Sequence, residues 1–168
     1  MTGNESEINN LIAQLSNQDG MQRQKAREEL VALGGIDVTR ALIIELSDPR
    51  RDVRWEAGKA LIEIADPIAA PSLVRQLLDE DGDIRWQAAG GLATMGEPGL
   101  LVTLNAAIRH AGNSEFCDAA HHAFKEFRKA GVHRQVLEPV MEACDGNEPG
   151  VALPVAAYKV LEQIKLPD

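Results

Sequence analysis

Val53-Arg54-Trp55-Glu56-Ala57-Gly58-Lys59-Ala60-Leu61 and Ile84-Arg85-Trp86-Gln87-Ala88-Ala89-Gly90-Gly91-Leu92 share one form, aliphatic-Arg-Trp-x-Ala-x-x-small-Leu, and lie 31 residues apart. A fixed period of this size marks a stacked repeat, in which each unit is too small to bury a core alone. The apolar residues of the first segment, Val53, Ala57, Ala60, Leu61 and then Ile64, fall on one stripe of a helix. A shift of 31 gives Ile84, Ala88, Gly91, Leu92 and Met95, and the reverse shift gives a weaker copy, Gln22, Ala26, Glu29, Leu30 and Leu33. Further copies follow at Phe116, Ala120, Ala123, Phe124, Phe127 and at Leu153, Ala157, Val160, Leu161, Ile164.

Each of these five helices is preceded by a first helix with its own markers: Leu11/Leu15, Leu42/Leu46, Leu73/Leu77, Leu104/Ile108 and Val136/Val140. Turn residues separate the two helices of each pair, at Asn17–Gly20, Asp48-Pro49, Asp79–Gly82, Ala111–Ser114 and Asp145–Asn147. Asp, Asn and Ser there can cap the following helix, while Gly and Pro end the preceding one. Pro71 and Pro154 are expected in first turns, where a missing N–H is harmless, and Pro139 is expected to bend or shorten its helix. Nothing in the chain reads as strand. The expected fold is an all-α solenoid of five helix pairs, one domain over residues 1–168, with repeats at about 5–34, 35–65, 66–96, 97–130 and 131–165.

The form Asp-x-x-x-Asp-Val/Ile-Arg-x-x-Ala-x-x-Ala/Gly-Leu, seen at Asp48–Leu61 and Asp79–Leu92, resembles the HEAT repeat, most of all the short bacterial kind also found in phycobilisome bilin lyases. The fourth and fifth copies depart from it, with Cys117 and Pro154 at the arginine position. The resemblance implies that Arg54 and Arg85 stitch adjacent repeats together, with Asp52 and Asp83 as acidic partners.

Composition narrows the function. With 26 acidic against 17 basic residues the formal charge is −9, which argues against sequence-independent binding of nucleic acid. The two cysteines, Cys117 and Cys144, form no disulfide framework and suit a reducing compartment. No signal peptide or membrane-length apolar run is visible, so a cytoplasmic protein is expected, with its oligomeric state open. No nucleophile elbow or phosphate-cradling loop appears, and an enzymatic role is not expected. Arg50-Arg51 with Arg54, and Arg23, Lys25 and Arg27, sit next to acids and read as solvated helix ends.

What remains are the two tryptophans, a third of only six aromatic residues. On a helical wheel Trp55 falls opposite the core stripe, sharing its side with Gly58, Lys59 and Ile62, and Trp86 repeats the placement with Gly90 and Ala93. The second helices of a solenoid line its concave face, so the two rings would stand about one helix diameter, ~10 Å, apart. The same register adds Gln24, Glu28 and Val31 from the first repeat, Asp118, His122 and Lys125 from the fourth, and Val155, Lys159 and Glu162 from the fifth. An aromatic centre with mixed charges suits a protein or peptide partner. The competing reading has both rings covering seams between repeats.

In the fourth repeat, Cys117/His121 and Asp118/His122 have the i, i+4 spacing of metal ligands on one helix face, with His133 and Cys144 as distant additions. No CxxC or HExxH pattern reinforces them, so they read as solvated polar residues and a small buried cysteine. The expected function is a non-enzymatic interaction scaffold without a cofactor. The alternative implied by the resemblance is a bilin-lyase-like accessory protein holding a tetrapyrrole or its carrier.

Overall fold

A computed structural model describes residues 3–165, so the outermost ends of the expected 1–168 domain lie outside the described residues. Among the described residues there is no strand. The helices follow the expected pairs: α1 (Gly3–Gln14) with α2 (Gly20–Leu33), α3 (Gly35–Glu45) with α4 (Arg51–Ile64), then α5 (Ala70–Leu73) with α6 (Gly82–Leu92). They continue as α7 (Gly96–His110) with α8 (Ser114–Lys129), and α9 (Glu138–Asp145) with α10 (Pro149–Lys165). The fold is therefore the all-α repeat solenoid of five helix pairs. None of the described helices is long and apolar enough to cross a membrane. The contacts gather into two compact units that divide between Leu73 and Val74, inside the third pair's first helix, where α5 passes into a 3-10 segment, Val74–Leu78.

In the first unit, α1 packs on α3 and α2 on α4, so like helices stack on like. Leu15, Leu30, Leu42 and Leu61 are fully buried there, and the small Ala57 and Ala60 let α4 approach its neighbours. The weak first copy of the stripe has a physical consequence. Gln22, Glu29 and Leu33 are exposed, and only Ala26 and Leu30 of that set are buried.

In the second unit α6 packs on α8 and on the 3-10 segment Val74–Leu78, and all three phenylalanines, Phe116, Phe124 and Phe127, are fully buried on α8. Gly99 marks the tightest approach, since a Cβ there would run into the Leu92 carbonyl. The fifth pair breaks the pattern. Instead of joining the row of second helices, α10 packs against α7, while α9 lies on α8. Two polar contacts hold α9 there: Arg128 Nη1 with Glu138 Oε2 at 3.1 Å and His121 Nδ1 with Asp145 Oδ1 at 2.9 Å. Gly150 sits against the backbone of Ala111 and Gly112, so the side-chain-free start of α10 meets the end of α7. The register that assigned Val155, Lys159 and Glu162 to the row of second helices is corrected accordingly.

Prolines mark the other departures. Pro139 occupies the first turn of α9, so this helix begins at Glu138, is short, and leaves Val136 in a separate 3-10 turn. Pro154 is not in a first turn. The Glu148 carbonyl accepts the amides of Val151 and Ala152, α10 therefore starts at Pro149, and Pro154 lies inside it.

One hydrogen bond recurs in every pair but the last. Nη1 of Arg23 donates to the Asn17 carbonyl at 2.8 Å, that of Arg54 to Asp48 at 3.0 Å, and that of Arg85 to Asp79 at 2.7 Å. In the fourth pair Cys117 does the same, its Sγ donating to the Ala111 carbonyl at 3.2 Å. Each donor reaches back six residues to a carbonyl in the turn that follows the preceding helix. The turn itself also repeats: Asn17, Asp48 and Asp79 each accept the amide two residues on. Asp19, Asp81 and Asn113 then cap α2, α6 and α8, but α4 has Arg50 at that position and no side-chain cap. Arg50 instead grips Asp48, and this hydrogen bond holds the Asp48 carboxyl below its usual range.

Arg23 and Arg85 also reach the next repeat. Arg23 Nη2 lies 3.2 Å from Asp52, and Arg85 Nη1 lies 3.8 Å from Glu115. A second link was not legible as such. Arg27, expected at a solvated helix end, is buried and donates to Glu56 Oε2 at 2.8 Å, both side chains being only 8% exposed. Its Nε also stands 3.5 Å from Glu63. Removing one partner of such a pair strands the other charge in the interior. Glu56→Ala or Arg27→Ala should each lower unfolding free energy in urea by about 3 kcal/mol. Arg27→Met with Glu56→Leu should recover most of the loss, and a double variant as weak as the singles together would show no coupling.

Candidate functional site

The outer ridge of α4 carries Arg51, Trp55 and Lys59, one turn apart on one face of the helix. The Arg51 guanidinium lies 5.0 Å and the Lys59 ammonium 5.8 Å from the centre of the Trp55 ring, both within cation–π range. Trp55 and Lys59 are half-buried, as is Ile62. Gly58 is buried beside them. On α2, which packs against α4, Gln24 donates to Glu28 at 2.8 Å, and both side chains are exposed. The first unit thus presents a tryptophan hemmed by two cations, with an amide–carboxylate pair on the neighbouring helix.

The second unit carries the equivalent ridge with different neighbours. The positions that hold Arg51 and Lys59 on α4 hold Gly82 and Gly90 on α6, so Trp86 has no flanking cation on its own helix. The ring is instead stacked on the imidazole of His122 from α8, with centroids 3.6 Å apart and planes within 6°. Gly90 lies beside the stack, where a Cβ would make ordinary contact with His122 Nε2 at 3.7 Å. One face of Trp86 is covered and the residue remains 62% exposed. It closes a seam between two repeats and still offers a large aromatic surface. Asp118 and Lys125 are exposed on α8 nearby in sequence. His122 Nδ1 lies 4.0 Å from Glu126, which Lys129 also engages.

The weak metal candidates do not converge. Cys117 points inward to the Ala111 carbonyl, His121 faces Asp145, His122 stacks on Trp86, and Asp118 is exposed. His133 pairs with Glu97 at 2.6 Å. Among the described residues no group of three His, Cys, Asp or Glu side chains is placed to hold a metal ion. Burial raises the Cys117 thiol, and burial with the nearby Cys117 pushes Cys144 up to about 12, so neither sulfur is poised as a thiolate at neutral pH. The inter-repeat candidates have definite positions: Arg54 and Arg85 anchor the turns before their helices, Asp52 is held by Arg23, and Asp83 is exposed in the first turn of α6.

Sequence reasoning placed His122 on the outer face without its ring contact, and it missed Arg51 beside Trp55. The i, i+4 spacing of Arg51 and Trp55 was the available signal for the second. No spacing rule pairs His122 with Trp86, because they lie on different helices.

The model for HEAT repeats matches residues 39–125, just over half of the chain, from within α3 to within α8. The chain belongs to the HEAT-repeat family. Repeats of this family generally serve as protein-interaction scaffolds. A comparison with curated proteins finds no match.

Burial lowers the basicity of His122, with neighbouring Lys129 and Lys125 adding to the effect and Glu126 opposing it. His121 is lowered in the same way, mainly by burial, against the pull of Asp145. Below the ordinary histidine value of 6.5 the unfolded chain therefore binds protons that the folded one resists. The contribution of these neutral rings is complete above that pH and is lost as pH falls through and below it. Urea unfolding of wild type should weaken from pH 7.5 to 5, and His122→Asn should show a smaller difference between the two. An equal or larger difference in the variant would mean that His122 is not held neutral by the fold.

Proposed function

We propose that the protein is a non-enzymatic scaffold that holds a protein or peptide partner on its second helices, with Trp55 on α4 as an anchor in the first unit and Trp86 on α6 as an anchor in the second. The observation that carries this reading is Trp86, 62% exposed yet fixed by stacking on His122. A large ring already held in place loses little conformational freedom when a partner covers it, which is how aromatic hot spots give affinity. On this reading Lys59, Ile62, Gln24 and Glu28 supply stems, apolar area and hydrogen-bonding groups in the first unit, and Asp118 and His122 do so in the second. The two cysteines, both free thiols, are in keeping with action in a reducing compartment such as the cytoplasm.

Capture from native lysate with quantitative mass spectrometry tests the reading. Trp86→Ala should lower partner affinity by about 2 kcal/mol or more, roughly thirtyfold. The double variant with Trp55→Ala should abolish capture, with circular dichroism and melting close to wild type. Unchanged capture by a folded double variant overturns the proposal, and unfolding of the double variant assigns the rings to the seams instead. A shift of a bilin's visible absorbance from that of the free pigment, with quenching of tryptophan emission, would transfer the face to a tetrapyrrole, as the likeness to bilin-lyase repeats implies.

A further inference from the structure

The last helix carries a second unpartnered face, and it owes nothing to the tryptophan ridges. On α10, Val151, Val155 and Tyr158 are 67, 53 and 58% exposed. Leu153, Ala157, Val160 and Leu161 turn the opposite side inward, and α7 and α9 are the helices packed on α10. The exposed residues sit at alternating three- and four-residue steps. Continued in both directions, those steps reach Glu148 just before the helix and Glu162 and Lys165 at its far end. All three of these flanking residues are exposed. This is the spacing of an a/d seam, the arrangement by which one helix packs against another.

The charges decide what can cover it. The seam is acidic at its N-terminal end and finishes on a lysine at its C-terminal end. A second α10 laid antiparallel sets Glu148 of each copy against Lys165 of the other, with Val155 of one copy opposite Tyr158 of the other at the centre. Each Glu162 then lies beside a valine, over which its aliphatic stem can lie while the carboxylate stays in water. A parallel arrangement would instead put glutamate on glutamate and lysine on lysine, which repels. A two-fold axis needs a self-complementary patch, and this one is. We propose that the chain self-associates through an antiparallel pair of α10 helices, with a second copy of this chain as the occupant of the face. One helix face is a small interface, below the ~1,200 Å² of standard complexes, so the dimer is weak and depends on concentration.

Sedimentation velocity over roughly a hundredfold range of protein concentration reads the association directly. Wild type should move from monomer toward dimer, and Val155→Asp should remain monomeric throughout with unchanged helicity. Glu148→Lys and Lys165→Glu should each weaken association at low salt, and the two together should restore it. Wild type that stays monomeric over the whole range overturns the proposal. In that case hydrogen-exchange protection across Val151–Tyr158 would assign the cover to a segment of the same chain. Dimerisation that survives Val155→Asp places the contact elsewhere, and dimers weakened by the double charge variant as much as by the singles refute the antiparallel pairing.

Discussion

The structure depends on a small and repeated constraint: near the start of α2, α4, α6 and α8, a side chain closes the turn behind the helix by donating to a carbonyl six residues back. Arg23, Arg54 and Arg85 do this with a guanidinium, and Cys117 does it with a thiol. The carbonyl at stake lies in the turn between the two helices, and a backbone carbonyl left unpaired away from water costs about as much as a lost hydrogen bond. Closing it fixes the angle at which the second helix leaves the turn. That angle determines which side of the helix meets the core and which faces outward, so the tryptophan ridges are a consequence of it.

Once the turns are fixed, the repeats need to adhere only to their neighbours, and here the two ends of the chain differ. Between the first two pairs a buried arginine, Arg27, serves Glu56 and reaches Glu63, in a copy of the stripe that supplies few apolar residues. The fourth pair does the opposite. It gives up the arginine, and three phenylalanines fill the interior of α8. The fifth pair then turns about, with α9 tied to α8 at Glu138 and Asp145 and α10 applied to α7. A short first helix leaves the chain little length along α8 before it turns into α10.

The fold was legible because its signal is periodic. A step of 31 residues, turn residues between helices and alanines on one stripe mark the helix pairs without reference to distant contacts. The buried stripes of α4 and α8 were legible for the same reason: Val53, Ala57, Ala60 and Leu61, and Phe116, Ala120, Ala123, Phe124 and Phe127, are all buried. What was not legible depends on contacts between helices. Arg27 looks like any charged residue beside acids until α4 packs on it. His122 looks like a polar surface residue until α8 packs on α6 and brings it onto Trp86. The turned fifth pair was hidden as well, since its helix stripe is as regular as the others and only its packing differs. The equivalence of Arg23 with Arg54 was readable from the same 31-residue step, but the weak apolar stripe around Arg23 obscured it.

Turn closure thereby sets the register that brings the outer ring of α6 onto α8 and holds it there. The ring-current shift of the His122 side-chain protons in solution tests it most directly. Stacked at 3.6 Å with planes nearly parallel, those protons sit in the shielding cone of the indole. They should resonate well upfield of a free histidine in wild type and return toward ordinary values in both Trp86→Leu and Arg85→Ala. Ordinary histidine shifts in the wild-type protein would contradict it.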